Sequence, residues 1–320
     1  MRILGISSMF HDAAVTVVED GKILFAAHAE RYSKQKNDPF LNQEIIREAL
    51  TYGNPHHIAL HEKTWAKRAR NIYAGNYAAL KEPSQQDWIK KFYPGLKGIP
   101  QTSYWHHETH AAAGVLTSGY GSAAVMVIDA IGEFDTATIW HWQDGKLKRK
   151  HSVRFPSSLG LFYSAVTAHV GLKPMEDEYI LMGMAAYGNP ERSAILAKHM
   201  QQLYFKSGLN MQINLQRGLP ANDFILTGEQ DKFDLARAAQ QIVEEKVIAF
   251  AQKAKDLTGE DTLIYMGGVA LNCVANSKLY DVFDYVHIMP NPGDAGSSLG
   301  AAALHYYNLT GKRTDWTSPD

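Results

Sequence analysis

The chain has 320 residues, 45% hydrophobic and 20% charged, with a formal net charge of −1. That is the composition of a globular protein with room for two modest lobes, and it excludes a global basic field that would recruit nucleic acid or anionic membrane. The single cysteine, Cys273, rules out an internal disulfide, and there is neither a signal-peptide pattern nor an apolar run of about 18 residues; a cytoplasmic protein is expected.

Residues 3–6 read as a short buried strand. A polar stretch around His11-Asp12 follows, then strand-like runs at 14–18 and 23–27 joined by Glu19-Asp20-Gly21-Lys22. Asp-Gly between two such runs signals a hairpin, because the turn needs φ > 0. Residues 42–52 predict a helix, 57–61 a short strand, and the polar, aromatic-rich segment 63–96 more helix. An alanine-rich helix is predicted over 104–117, ending near Gly119. The opening pattern then recurs: a buried run at 124–128 stopped by Asp129, a turn at Gly132-Glu133, a strand over 136–142, and the hairpin signal Gln143-Asp144-Gly145-Lys146. Two copies of strand, polar tip, strand, Asp-Gly, strand predict two homologous lobes. This is a duplicated α/β fold of the actin, sugar kinase and Hsp70 type. Helical spacing continues at 159–170, 178–186 and 233–257, the last ended by Thr258-Gly259. Residues 263–266 predict a buried strand running into Gly267-Gly268 and a helix, 201–228 are irregular, and 296–307 form a final helix rich in Ala and Gly. The expected lobes are 1–122 and 123–308, with the final helix packing back on the first lobe. A loose polar tail is expected over 309–320.

Three clusters carry chemistry. His106 and His110, spaced i, i+4, lie on one helix face, a geometry for two imidazole ligands on one cation. The zinc-protease pattern is absent, since Ala111 stands where its second His would be. Asp129 at a strand end and Asp294 in a glycine-flanked turn supply carboxylates, and the mixed set suits Fe(II), Mn(II) or Zn(II). Gly267-Gly268, after a buried strand, lets backbone N–H groups approach phosphate or ribose. A bulky side chain at Gly268 is expected to weaken nucleotide binding and to leave metal content intact. His11, at the first hairpin tip, and Lys36, after the third strand, are placed to line a cleft for an anionic substrate.

Together these segments resemble the bacterial O-carbamoyltransferases that act on nodulation factors, cephamycins and tobramycin. The resemblance runs through His11-Asp12-Ala13, Glu30-Arg31 with Lys36, the His106 to His110 segment, and Pro156-Ser157-Ser158-Leu159-Gly160-Leu161-Phe162-Tyr163-Ser164. It continues through Met182-Gly183-Met184-Ala185-Ala186-Tyr187-Gly188, then Gly267 to Cys273 and Pro292 to Gly300. It implies that carbamoyl phosphate and ATP give carbamoyladenylate, whose carbamoyl group passes to a hydroxyl. It implies metal ligands at His106, His110, Asp129 and Asp294, with iron the expected ion and magnesium a further candidate. His11 and Lys36 match residues around the carbamoyl group and phosphates. Gly132, Glu133, Gly267, Gly268 and Asn272 match nucleotide-binding loops. The acceptor is a hydroxylated small molecule or a modified base. Ala130, Ile180 and Asn37 depart from the family's usual Gly, Lys and His. Family members carry a further domain that makes the adenylate, so a separate adenylate-forming protein is expected as partner. The alternatives are threonylcarbamoyl transfer to tRNA, a sugar-kinase-type phosphotransferase and a non-catalytic scaffold that binds ATP and metal.

Overall fold

A computed structural model describes residues 1–315. The first half holds β1 (Arg2–Ser7), β2 (Ala14–Glu19), β3 (Lys22–His28), α1 (Glu30–Ser33) and α2 (Gln43–Thr51). It continues with β4 (His57–Leu60), α3 (Thr64–Tyr73), α4 (Gln85–Phe92), β5 (Gln101–Ser103) and α5 (His106–Ser118). The second half begins with β6 (Ala123–Ile128), β7 (Asp135–Gln143), β8 (Lys146–Arg154), α6 (Leu159–His169), α7 (Glu178–Met184) and α8 (Pro190–Tyr204). A small hairpin of β9 (Phe205–Ser207) and β10 (Asn210–Met211) precedes α9 (Glu229–Thr258). The chain ends in β11 (Thr262–Met266), α10 (Cys273–Asn276), β12 (Tyr285–His287) and α11 (Gly296–Thr310).

Among the described residues the strands form two five-stranded sheets, ordered β3-β2-β1-β4-β5 and β8-β7-β6-β11-β12. Each has two antiparallel pairings at the hairpin end and two parallel pairings beyond it. The hairpin turns match as well. Asp20 and Gly21 have φ of 49° and 87°, and Asp144 and Gly145 have 52° and 68°, the left-handed pair that a two-residue turn demands. The duplicated, actin-like α/β architecture read from the sequence is therefore present.

Alternation along the central strands decides what each face meets. Leu4 and Ile6 face an outer core shared with Ile45, Ile89 and Leu96, whereas Ile3 turns inward. Met126 and Ile128 face a second outer core with α6 and α9, and Val125 and Val127 turn inward. The inner layer holds α5 and α11. Gly114 of α5 lies against Ile264 and Met266 of β11, and Gly5 of β1 lies against Ser298 and Ala302 of α11. The two helices touch at Gly300, where an added Cβ would lie 1.9 Å from the Thr109 carbonyl oxygen. Backbone cannot yield as a flexible side chain does. Gly300→Ala should therefore cost about 3 kcal/mol, the upper end for overpacking. Chemical denaturation measures this, and an unchanged midpoint would mean the helices can slide apart.

Several local expectations changed. The segment 63–96 splits into α3 and α4 with single 3-10 turns at Tyr77–Leu80 and Pro94–Leu96. Gly75, Pro83 and Pro94 break the run, and Ser84 caps α4 by accepting from Asp87 N. The irregular stretch expected from residue 201 instead opens with the last turn of α8. The helix expected after Gly268 is a 3-10 turn, Gly268–Leu271, followed by the one-turn α10, because Asn272 leaves helical geometry and re-caps the chain. The described part of the tail is exposed over residues 309–312 but anchored beyond: Thr314 is buried, and Asp315 N donates to Gly21 O at 2.7 Å. Residues 316–320 of the expected tail lie outside the described residues.

Candidate active site

The floor of the site is built where β6, α5 and α11 meet. α5 starts at His106 with the Glu133 carboxylate at its N-terminus. Glu133 Oε1 accepts from His106 N at 3.2 Å and from Lys63 N at 2.8 Å, satisfying donors that a helix start leaves open. One turn separates His106 from His110, and their Nε2 atoms approach to 3.1 Å. Asp129 follows β6 directly. Its Oδ2 lies 3.0 Å from His106 Nε2 and 3.2 Å from His110 Nε2. Its Oδ1 is held from behind by Ala130 N at 2.7 Å and Gly268 N at 3.3 Å. Asp294 enters from the turn before α11, with Oδ1 at 3.4 Å and 3.3 Å from the same two nitrogens. All four side chains are buried.

These residues fit a divalent cation. Ligands bonded to one ion at about 2.1 Å, at angles between 90° and 109°, lie roughly 3.0–3.4 Å apart. The observed separations fall in that interval. Asp294 Oδ1 is buried without a hydrogen-bond donor, and so is free to bind a cation. Burial alone would favour neutral rings, but Asp294 and Asp129 outweigh it and raise the pKa of both His106 and His110. Against burial and their mutual repulsion, the histidines hold the Asp129 carboxyl well below its usual range. A mixed nitrogen and oxygen set of this kind suits iron, manganese or zinc.

Above this cluster opens a cavity of about 490 Å³. His11, Lys36, Asp129, Gly268, Asn272 and Asp294 line it, so the structure gathers most of the sequence-derived residues in one place. His11 bridges two carboxylates, with Nδ1 2.8 Å from Asp12 Oδ2 and Nε2 3.5 Å from Asp294 Oδ2. Burial opposes its charge, yet Asp294 and Asp12 raise its pKa to about 9. Lys36 Nζ donates to Glu176 O at 3.0 Å and lies over the Tyr179 ring, tying the two halves at the cavity mouth. Asn272 and Gln240 exchange amide hydrogen bonds of 3.0 and 2.9 Å, and Gln240 also accepts from Tyr163 OH.

The described lining residues do not include Gly132, Glu133, Gly267, His106 or His110. For the metal-site pair this is the expected depth, since Asp129 and Asp294 stand between them and the cavity. Glu133 is committed to the start of α5, and a Cβ on Gly132 would meet His107. Gly267, at φ 94°, backs onto the Ile128 carbonyl. These three shape the loops rather than face the cavity. Sequence reasoning missed the apolar wall, which includes Tyr163, Met175, Met182 and Val243, and also His28. It also missed His61, buried edge-on to His106 at 5.4 Å between ring centroids. Tyr163 and Met182 lie in segments that carry the resemblance but were given no role there; the others have ordinary core spacing, and only three-dimensional proximity marks them.

The sequence matches the family description "Carbamoyltransferase N-terminus" over residues 2–54 and 62–303. The chain belongs to the carbamoyltransferase family. An uncharacterized protein of Synechocystis is similar at 30% identity over 94% of this chain and 56% of its own length. The 3'-hydroxymethylcephem-O-carbamoyltransferase of Amycolatopsis lactamdurans is similar at 24% identity over 96% of this chain and 60% of its own. The chain thus spans little more than half the length of these two relatives. Full-length HypF, solved in a phosphate- and nucleotide-bound form, shares the fold with a TM-score of 0.53 at 12% identity, over 97% of this chain and 46% of HypF. Among the described residues no helix is long and apolar enough to cross a membrane.

Proposed function

We propose that this chain transfers a carbamoyl group from carbamoyladenylate, made from carbamoyl phosphate and ATP, to a hydroxyl of a small-molecule or modified-base acceptor. The observation that carries this reading is the buried cluster of His106, His110, Asp129 and Asp294 at the floor of a cavity in a carbamoyltransferase-family chain. A divalent cation held by those four residues, iron by family resemblance, would supply Lewis-acid stabilisation of charge on phosphate and carbonyl oxygens.

The protein's own groups do the rest. The acceptor oxygen attacks the carbamoyl carbon, a C–O bond forms, and the bond to the phosphate oxygen breaks, so that AMP leaves with the electron pair. The hydroxyl proton passes to His11 on its Asp294 side as the opposite ring nitrogen gives its proton through Asp12 to solvent, so that His11 acts as a relay. Lys36 faces the phosphate or the carbamoyl oxygen. Gly268 and Asn272 line the nucleotide side, with Gly267, Gly132 and Glu133 holding the loops. The HypF likeness supports a nucleotide in this fold and says nothing of the acceptor. Closure of the two halves on bound donor would keep water from an intermediate it would hydrolyse.

The test offers pre-formed carbamoyladenylate with a panel of hydroxylated acceptors and follows AMP release and product mass. Product that depends on Lys36 and on bound metal is expected. A parallel mixture with only carbamoyl phosphate and ATP asks whether a separate adenylate-forming protein is needed. Absence of both AMP binding and product would overturn the proposal.

A further inference from the structure

The cavity wall holds a second group of ligand-type residues, of which the reaction described above uses only Asp12, as the partner of His11. Asp12, His28 and Glu30 each offer one atom, all within 4.8 Å of one another. Bonds of about 2.1–2.4 Å to one ion can close that span. We propose that Asp12, His28 and Glu30 hold a second divalent cation, which meets the phosphate of the bound donor and offsets its charge. The assignment rests on the phosphate-bearing donor proposed above.

Three observations support it. The first is how each side chain is committed. Glu30 Oε2 accepts from Asn37 N at 3.1 Å, which leaves Oε1 facing His28 Nδ1 at 4.0 Å, too far for a hydrogen bond. His28 Nδ1 is a buried atom without a partner, while Nε2 contacts the Asn291 amide. Asn291 Nδ2 faces Nε2, so cation binding turns the Asn291 amide over: its oxygen then accepts the Nε2 proton and Nδ1 presents its lone pair to the cluster. Asp12 gives Oδ2 to His11 Nδ1 and keeps Oδ1. Arg31 is the cation beside Glu30, but it is 75% exposed and 3.6 Å away, so it screens rather than neutralises.

The second is charge. Six carboxylates line the cavity, those of Asp12, Glu30, Asp129, Glu176, Glu178 and Asp294, against one lysine, Lys36, and no arginine among the described lining residues. Glu176 pairs with Lys173, and Glu178 accepts from Ser164 and from Met175 N. Asp12 shares His11 with Asp294, and Glu30 has the Asn37 amide and only the exposed Arg31 for a counter-charge, so the carboxylates still outnumber the cations around the cavity. An anionic donor entering this cavity meets repulsion that a cation on the buried floor offsets only in part.

The third is position. His11 stands between the two clusters, with Nδ1 on Asp12 and Nε2 towards Asp294. The three ligands are half-buried rather than sealed, which leaves coordination positions open to phosphate oxygens. Carboxylates with one imidazole suit magnesium or manganese.

The experiment titrates metal-stripped protein with Mn(II) alone and counts bound ions by electron paramagnetic resonance. Two ions per chain are expected in wild type. His106→Ala should keep one. Glu30→Gln retains an oxygen for Asn37 N, and Asp12→Asn tolerates the local φ of 52°. Either should weaken one site by at least about tenfold, the lower end of what even indirect ligand partners cost, and should leave the site lost in His106→Ala intact. One ion in wild type, or two equally tight ions in both conservative variants, would overturn the second site. Because no carbamoyl compound is present, that failure leaves the proposed transfer untouched. A failed transfer assay would likewise leave the ion count standing.

Discussion

His110→Ala should lose its metal and much of its stability together. Protein purified without chelator is expected to carry near-stoichiometric divalent metal by elemental analysis, and the variant little. The side chain is fully buried, and its Nε2 lies 3.2 and 3.3 Å from the Asp129 and Asp294 carboxylates. Without it, the two buried carboxylates keep only His106 between them, with His11 on the outer oxygen of Asp294. Removing one partner from a buried ion cluster leaves charge uncompensated and costs about 3–5 kcal/mol. For a chain of this size that lowers the melting temperature on the order of 10 °C. Asp294→Asn, which keeps the shape and removes one charge, separates the two effects: metal should fall while folding suffers less. Equal metal in wild type, His110→Ala and Asp294→Asn would place the ion elsewhere.

Gly268→Val should abolish nucleotide binding and weaken metal binding at once. From sequence alone the expectation was loss of nucleotide only. The structure changes the prediction because a Cβ at Gly268 would lie 2.9 Å from Asp129 Oδ1. That oxygen is fixed by Ala130 N and Gly268 N, and the fixing aims Oδ2 at the two histidines. A branched side chain therefore pushes on the ligand as well as filling the cavity. Displacing a group that orients a ligand costs about 10–100-fold in metal affinity. AMP titration by calorimetry and elemental analysis on the same sample read the two losses. Nucleotide affinity lost with metal retained would show that Asp129 can yield without leaving its ion.

What the sequence made legible was what repeats or obeys backbone rules. The Asp-Gly turns announced both hairpins, and Gly119 and Gly259 closed α5 and α9 in left-handed conformations. The His106–His110 spacing and the positions of Asp129 and Asp294 were readable because a helix turn and a strand end fix direction. β5 and β12 were not, since each has three residues and neither shows a continuous buried run. α8 was overlooked although Asn189 and Pro190 form an ordinary helix start. Glu133 was assigned to nucleotide by resemblance, yet its partners are two backbone amides that no sequence pattern reveals. Asp12, His28 and Glu30 come together across a hairpin tip and the strand beyond it, which only folding brings about.

The crossing of α5 and α11 bears on how the protein is made. Thr16 in the first hairpin bonds to Ser298, 282 residues later. At a synthesis rate of roughly 5–20 residues per second, the inner face of the first sheet waits on the order of 15–60 s on the ribosome before its covering helix is translated. During that interval Ile3 and Val18 lack their partners Leu299, Ala302 and Ala303. Such long-range closure slows folding and leaves apolar strand surface open to wrong association. Yield in a cell should therefore depend on holdase chaperones more steeply than the stability of the finished protein would indicate.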